Sequence, residues 1–229
     1  MVRFARVAAA AALMVFGAAH AAPVFWTDWT QGAAGAGGSA TGSINTGSAS
    51  IGVTYAGEVA FIQTNGGTNY WASGNPYVSA AVDNGPGTSD IIALSLASSK
   101  TLTFDTAVDN LFFAVMSLNG NGYELSEDFT IESVGCGYWG CGTLTKQDMG
   151  NGKFRLIGSG EPHGVIRFNR AVSSLTWTSL TNEFWNGFTV GTYGVAPPSN
   201  GVPEPTSLAL GLLALGVCGA ATRRRSRTV

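Results

Sequence analysis

Residues 111–118 read LFFAVMSL, and this stretch decides the fold class. Apolar side chains occupy both its odd and its even positions, so a β-strand built from it would be apolar on both faces. Such a strand needs a second sheet on one side and a cover on the other. The pattern therefore predicts a central strand that lies under a covering loop.

Eleven further short segments with β-like composition accompany this strand. Clusters of Gly, Asn, Asp and Pro separate them, and no helical periodicity is present. The predicted strands cover residues 51–55, 59–63, 77–82, 91–96, 101–105, 111–118, 129–133, 143–146, 154–157, 165–168, 175–179 and 188–193. Many short strands with turn signals predict an all-β fold, a single β-sandwich or jelly-roll-like domain.

The domain boundaries follow from composition. Residues 31–50 read QGAAGAGGSATGSINTGSAS, without apolar periodicity, which indicates a flexible loop or loosely held edge strands. We therefore expect a Gly/Ala/Ser-rich N-terminal segment at 22–50, the sandwich domain at 51–195 and a linker at 196–201.

Residues 1–21 have the three parts of a secretory signal peptide. Two arginines near the start precede an almost unbroken apolar stretch, and residues 19–21 (AHA) supply the small side chains that a signal peptidase requires. We expect cleavage after Ala21 and export of the rest of the chain.

The last 28 residues, 202–229, also divide into three parts. A Pro-Glu-Pro motif comes first, an apolar stretch at 206–222 follows, and a basic tail occupies 223–229. The apolar run at 207–221 would span roughly 22 Å as a helix, which is marginal for a hydrocarbon core of about 30 Å. Arginines resist translocation, so the pattern predicts a single short transmembrane helix with a cytoplasmic basic stop. The motif is Pro203, Glu204 and Pro205, and the basic stop is Arg223, Arg224, Arg225 and Arg227.

This tail resembles the PEP-CTERM sorting signal of exported proteins in Gram-negative bacteria. The resemblance rests on the three parts together and covers only residues 202–229. It implies recognition by exosortase, a membrane-embedded cysteine-type transpeptidase or protease, and cleavage near the Pro-Glu-Pro motif. It also implies anchoring on the periplasmic side of the inner membrane before processing, and then a place at the cell surface or in the extracellular matrix. Such proteins accompany exopolysaccharide production and biofilm formation, so the resemblance gives a route rather than an activity.

The exported part of the chain is acidic. Residues 22–201 carry 13 acidic and six basic residues, a formal charge of −7, whereas the whole chain carries −2. A nucleic-acid partner is disfavoured, because phosphate binding needs clustered Lys and Arg.

Two cysteines with four residues between them, Cys136 and Cys141, favour a disulfide in an oxidising compartment. A zinc site is the rival interpretation, but it needs four ligands, and no familiar spacing is present. A calcium site at residues 83–90, from Asp83, Asn84 and Asp90, lacks a full ligand pattern. We expect no metal and no cofactor.

Glu161 takes part in two conceivable acid–base pairings. Glu161 and His163 could act as acid and base, but the surrounding Gly and Pro residues favour a tight turn between two strands. Glu161 and Glu183 could be the two carboxylates of a glycosidase, although spacing alone does not place them. We expect no catalytic residues.

Aromatic residues next to Gly and Asn are candidates for stacking on sugar rings. The candidate tryptophans are Trp71, Trp139 and Trp185. The alternative for each is that its ring packs at the end of the sandwich and has only a structural role. Trp139 is the best candidate, because a disulfide loop would hold it outward.

The sequence leaves two functions open. The first is a non-enzymatic surface or matrix protein, and the second is a carbohydrate-binding module, with a polysaccharide hydrolase less favoured. Outward rings would favour the second function, and buried rings the first.

Overall fold

The computed structural model describes residues 23–196. The signal peptide, the sorting motif, the apolar stretch and the basic stop lie outside these residues. Within residues 23–196, no helix is long and apolar enough to cross a membrane.

The regular helical structure in residues 23–196 is one 3-10 turn, Tyr70–Ala72. The strands are β1 Phe25–Trp26, β2 Asp28–Ala33, β3 Ser39–Asn45, β4 Ser50–Ala56, β5 Phe61–Gln63, β6 Ile91–Leu94, β7 Ser99–Asp109, β8 Phe112–Met116, β9 Gly122–Leu125, β10 Phe129–Gly135, β11 Gly142–Gly150, β12 Lys153–Gly160, β13 His163–Phe168, β14 Val172–Ser179, β15 Asn186–Thr192 and β16 Gly194–Val195.

The strands form two antiparallel sheets, so the predicted all-β sandwich is confirmed. The first sheet has the order β10-β13-β8-β15-β6-β5, with β1 paired to β15. The second has the order β11-β12-β9-β14-β7-β4-β3-β2, with β16 paired to β7.

The two sheets share one apolar core. In the second sheet the side chains alternate, so that Leu102 and Leu175 are buried while Thr103 and Thr176 face solvent. Their partners from the first sheet include Phe113 and Phe188, whose rings stack with centroids 4.9 Å apart. Trp177 packs edge-on against both of these rings.

The first sheet is buried on its outer face as well, as the LFFAVMSL pattern predicts. All five residues of β8 are buried, and β8 lies between β13 and β15. On the outer side, Phe112 and Met116 belong to a second apolar cluster with Trp71 and Tyr77. Those two rings come from the long connection between β5 and β6, residues 64–90, which is the covering loop.

The N-terminal boundary of the sandwich was predicted incorrectly. Residues 31–50 contain β3 and part of β2, so they belong to the second sheet rather than to a separate segment. Trp29, Ala40 and Ile44 are buried in the shared core. The expected domain start at residue 51 therefore moves to Phe25. Of the two interpretations offered for residues 31–50, edge strands agree better with the structure than a flexible loop, since β2 lies at the edge of the second sheet.

Two other strand predictions were wrong. Residues 77–82 form no strand; they belong to the covering loop, and their apolar side chains Tyr77 and Val82 are buried against the outer face of the first sheet. The strand β9 was not predicted, because its four residues GYEL carry little periodicity.

Candidate functional site

Four connections between strands meet at one end of the sandwich. They are the links β8–β9, β10–β11, β12–β13 and β14–β15. Each link crosses from one sheet to the other, because β8, β10, β13 and β15 belong to the first sheet and their partners to the second. Residues far apart in sequence therefore converge where these links pass over the core.

A cavity of about 220 Å³ lies among these four connections. Pockets for drug-sized ligands measure roughly 300–1,000 Å³, so this cavity suits a smaller group. Its walls combine aromatic rings with carboxylates and an amide. The lining side chains are those of Ser117, Asn119, Trp139, Glu161, Glu183, Phe184 and Trp185.

Glu161 is held in place by two neutral donors. The Ser117 hydroxyl and the Asn119 side-chain amide each donate to its carboxylate. Ser117 has a φ of 54°, in the left-handed region that non-glycine residues seldom adopt. This backbone conformation occurs at the point where β8 ends and the chain turns toward the cavity.

Glu183 is held by three neutral donors. Asn119 N–H donates to Oε2 over 3.2 Å, Asn121 Nδ2 donates to Oε1 over 2.7 Å, and the Asn186 amide also donates to Oε1. Burial raises the pKa of Glu183 above its usual range, and the nearby charge of Glu161 adds to the increase. Asn119 contacts both carboxylates, so the two acids predicted as a possible pair do lie in one site.

Trp139 lies in the disulfide loop and faces outward, as expected. Cys136 and Cys141 are bonded, with their Cα atoms 4.0 Å apart. The exposed fraction of Trp139 is 50%. The ring is supported from behind by Tyr70 at 6.2 Å and by Trp185 at 6.0 Å between centroids.

The other two predicted stacking residues differ from each other. Trp185 is half-buried and lines the cavity. Trp71 is only 4% exposed, and its indole N–H donates to the backbone oxygen of Asp90. The prediction that Trp71 is available for stacking is therefore wrong, because this ring fills the space under the covering loop. An additional ring, Phe184, lines the cavity and is 93% exposed.

Glu161 and His163 do not form an acid–base pair. Glu161 and Pro162 make the predicted tight turn, which joins β12 to β13 and so crosses between the sheets. The His163 ring is fully buried, and Nδ1 lies 3.0 Å from the Tyr77 hydroxyl. Burial lowers the pKa of His163 to about 4, so the ring is neutral near pH 7.

The calcium candidates also serve the fold. The Asn84 side chain bonds the backbone of Val24 in both directions. The Asp90 carboxylate accepts from Trp29 N–H and Asn65 N–H, each at 2.9 Å. Across residues 23–196, no three His, Cys, Asp or Glu side chains are grouped so that they could hold a metal ion.

No protein-family model matches the chain, and no curated protein or solved structure is significantly similar to it. The evidence for what the cavity binds therefore comes from the cavity itself. That evidence is an aromatic wall, two carboxylates and amide donors within one concave site. Sequence reasoning did not find Ser117, Asn119 or Asn121; the only signal was the Asn-Gly turn that follows β8.

Proposed function

We propose that the chain is an exported surface or matrix protein whose sandwich domain binds a saccharide without catalysis. The observation that carries this proposal is the outward ring of Trp139 at the rim of a concave, partly polar cavity. Indole rings stack on the apolar face of a pyranose, while amides and carboxylates bond its hydroxyls. From the sequence alone, carbohydrate binding was the alternative to a plain surface or matrix protein. We now prefer a surface or matrix protein that binds carbohydrate.

The exported location rests on sequence patterns and on one structural feature. The signal peptide at 1–21 and the PEP-CTERM-like tail at 202–229 predict export and handling by exosortase. The Cys136–Cys141 disulfide agrees with an oxidising compartment. Before processing, the tail would hold the domain at the membrane; afterwards the domain would remain with the surface polysaccharide.

Polysaccharide hydrolysis is a second candidate, favoured by the pairing of Glu161 and Glu183 in one cavity. Glycosidases use two carboxylates, and a raised pKa suits the general acid. Against this, both oxygens of Glu183 already accept hydrogen bonds from the amides around it. A carboxylate fixed in this way is better suited to hold a ligand than to deliver a proton.

Affinity electrophoresis of the exported protein against a panel of purified glycans tests the proposal. At least one glycan should retard the protein. Trp139→Ala should weaken the affinity for that glycan by about tenfold, because the variant loses one stacked ring. Met149→Ala removes an exposed side chain from β11, outside the cavity lining, and is the matched control. Retardation that Trp139→Ala leaves unchanged would remove this ring from the site. Release of reducing ends that Glu183→Gln abolishes would establish the hydrolase instead.

A further inference from the structure

The two carboxylates of the cavity have no cationic partner among residues 23–196. Five ion pairs join Glu58, Glu124, Glu127, Asp128 and Glu132 to basic side chains elsewhere in the sandwich. These pairs occupy five of the six described basic side chains, Lys100, Lys146, Arg155, Arg167 and Arg170. No ion pair in the described part of the chain reaches Glu161 or Glu183.

The remaining basic side chain and the nearby imidazole do not supply the missing charge. Lys153 begins β12, whereas Glu161 follows the end of that strand, roughly 25 Å away along the chain. His163 is two residues from Glu161, but its ring is buried against Tyr77 and is neutral near pH 7. No basic side chain of residues 23–196 is therefore placed to form an ion pair with either carboxylate of the cavity.

The neutral donors keep both carboxylates in place without cancelling their charge. Glu161 accepts from a hydroxyl and an amide, and Glu183 accepts from amides alone. A carboxylate has about four acceptor positions, so capacity remains for ligand donors. Burial of Glu183 makes its charge costly, and an incoming cation would offset part of that cost.

The amide donors and aromatic rings of the cavity favour an ammonium group over a metal ion. Calcium takes six to eight oxygen ligands, while the amide groups of Asn119 and Asn121 donate their N–H groups to the two carboxylates. An ammonium group has three N–H donors and is attracted to the face of an indole ring. Trp139 and Trp185 provide such rings beside the carboxylates.

We propose that the cavity recognises an amino sugar with a free, protonated amino group. This inference rests on the proposed saccharide binding and names its class of ligand. The ammonium group lies between Glu161 and Glu183, and the pyranose ring stacks on Trp139. The preferred ligand is thus a polysaccharide in which at least some hexosamine units are not acetylated.

Titration calorimetry with three β-1,4-linked oligomers of equal length tests this proposal. The oligomers contain glucosamine, N-acetylglucosamine or glucose, and the protein is the exported chain purified in detergent. Glucosamine oligomers should bind at least about tenfold more tightly than the other two, the value of one charge-assisted hydrogen bond. Glu161→Gln should abolish this preference, and Glu183→Gln should do the same if the variant folds.

Asp148→Asn removes the same charge from an exposed position on β11 and should leave the preference intact. An equal loss in Asp148→Asn, or equally tight binding of lysine oligomers, would show general attraction to an acidic protein and would overturn the proposal. Equal affinity for all three sugars, sensitive to Trp139→Ala, would overturn the amine preference and leave saccharide binding standing. Binding of none of them would overturn the amino-sugar proposal, and the glycan panel would then decide on saccharide binding itself.

Discussion

The rings of Trp139 and Trp185 meet edge to face, with centroids 6.0 Å apart and planes inclined by 85°. One ring comes from the disulfide loop after β10 and the other from the link before β15. Edge-to-face pairs are worth roughly 0.5–1.5 kcal/mol beyond the area they bury. The contact therefore helps to fix the orientation of the Trp139 ring at the rim of the cavity.

Breaking the disulfide should release Trp139 from this position. The double variant Cys136→Ser/Cys141→Ser loses a short closed loop, which costs about 2 kcal/mol of the free energy of unfolding. Chemical denaturation measures this loss, and glycan affinity should fall with it because the ring is no longer held outward. The presence of the disulfide can be measured by mass spectrometry, because non-reduced peptides that span the loop should be lighter by about 2 Da than reduced ones. Two free thiols in freshly exported protein would contradict it.

Trp71 and Trp139 should respond in opposite ways to truncation. Trp71→Ala empties space under the covering loop and should cost roughly 3–5 kcal/mol of the free energy of unfolding. Trp139→Ala removes a half-exposed ring and should cost about 1 kcal/mol, while weakening glycan binding. Denaturant unfolding and glycan titration, run on both variants, separate the two roles. A large loss of affinity in correctly folded Trp71→Ala would show that the covering loop shapes the site.

Acid should destabilise the fold through His163. Burial lowers the pKa of His163 in the folded state to about 4 from its ordinary value of 6.5, so as the pH falls below about 6.5 the unfolded chain binds a proton that the folded chain does not. Stability from this residue is thus present above pH 6.5 and is lost between pH 6.5 and 4, by an amount on the order of 3 kcal/mol.

The His163→Leu variant isolates this effect from that of the carboxylates. It should be less stable than the wild type at pH 7, because the Tyr77 hydroxyl loses its partner. Its free energy of unfolding should then fall less steeply between pH 6.5 and 4. Parallel pH profiles for the two proteins would show that His163 does not carry the acid sensitivity.

The sorting prediction concerns residues outside the described structure. Pro203 and Pro205 lack a backbone N–H and favour an extended segment, which a protease can grip without unwinding a helix. We expect a mature form that lacks the tail when the protein is expressed in its own host, and full-length chain in an exosortase-deficient strain. Membrane fractions analysed by mass spectrometry distinguish the two forms. Full-length protein in the membrane of both strains would show that residues 206–222 are a permanent anchor.

Much of the fold could be predicted from the sequence because its strands alternate cleanly. Leu102 and Phe104 face the core while Thr101 and Thr103 do not, which is the period-two signal of a sheet with one buried face. The strands around Ala40 were obscured by glycine and serine, whose small side chains give little periodicity. Tyr77 gave a false strand, because a covering loop also buries its apolar side chains.

The candidate site could be predicted only in pieces. The outward position of Trp139 followed from local chemistry, since a loop of four residues between bonded cysteines has few ways to fold inward. The meeting of Glu161 with Glu183 depends on two links that cross between sheets, and no local pattern encodes that crossing. Ser117 and Asn119 escaped notice for the same reason, because their role depends on carboxylates more than 40 residues away.

The most direct test of saccharide binding is to observe the tryptophans during a titration. The chain has six tryptophans, and each indole N–H gives its own signal in a two-dimensional ¹H–¹⁵N NMR spectrum. Glucosamine oligomers, followed by N-acetylglucosamine oligomers, are added to the labelled exported protein. The signals of Trp139 and Trp185 should shift in a saturable way, and those of the buried Trp29, Trp71 and Trp177 should stay in place. Saturable shifts confined to tryptophans outside the cavity, or no shift at any of the six with either oligomer, would contradict a saccharide site at this end of the sandwich.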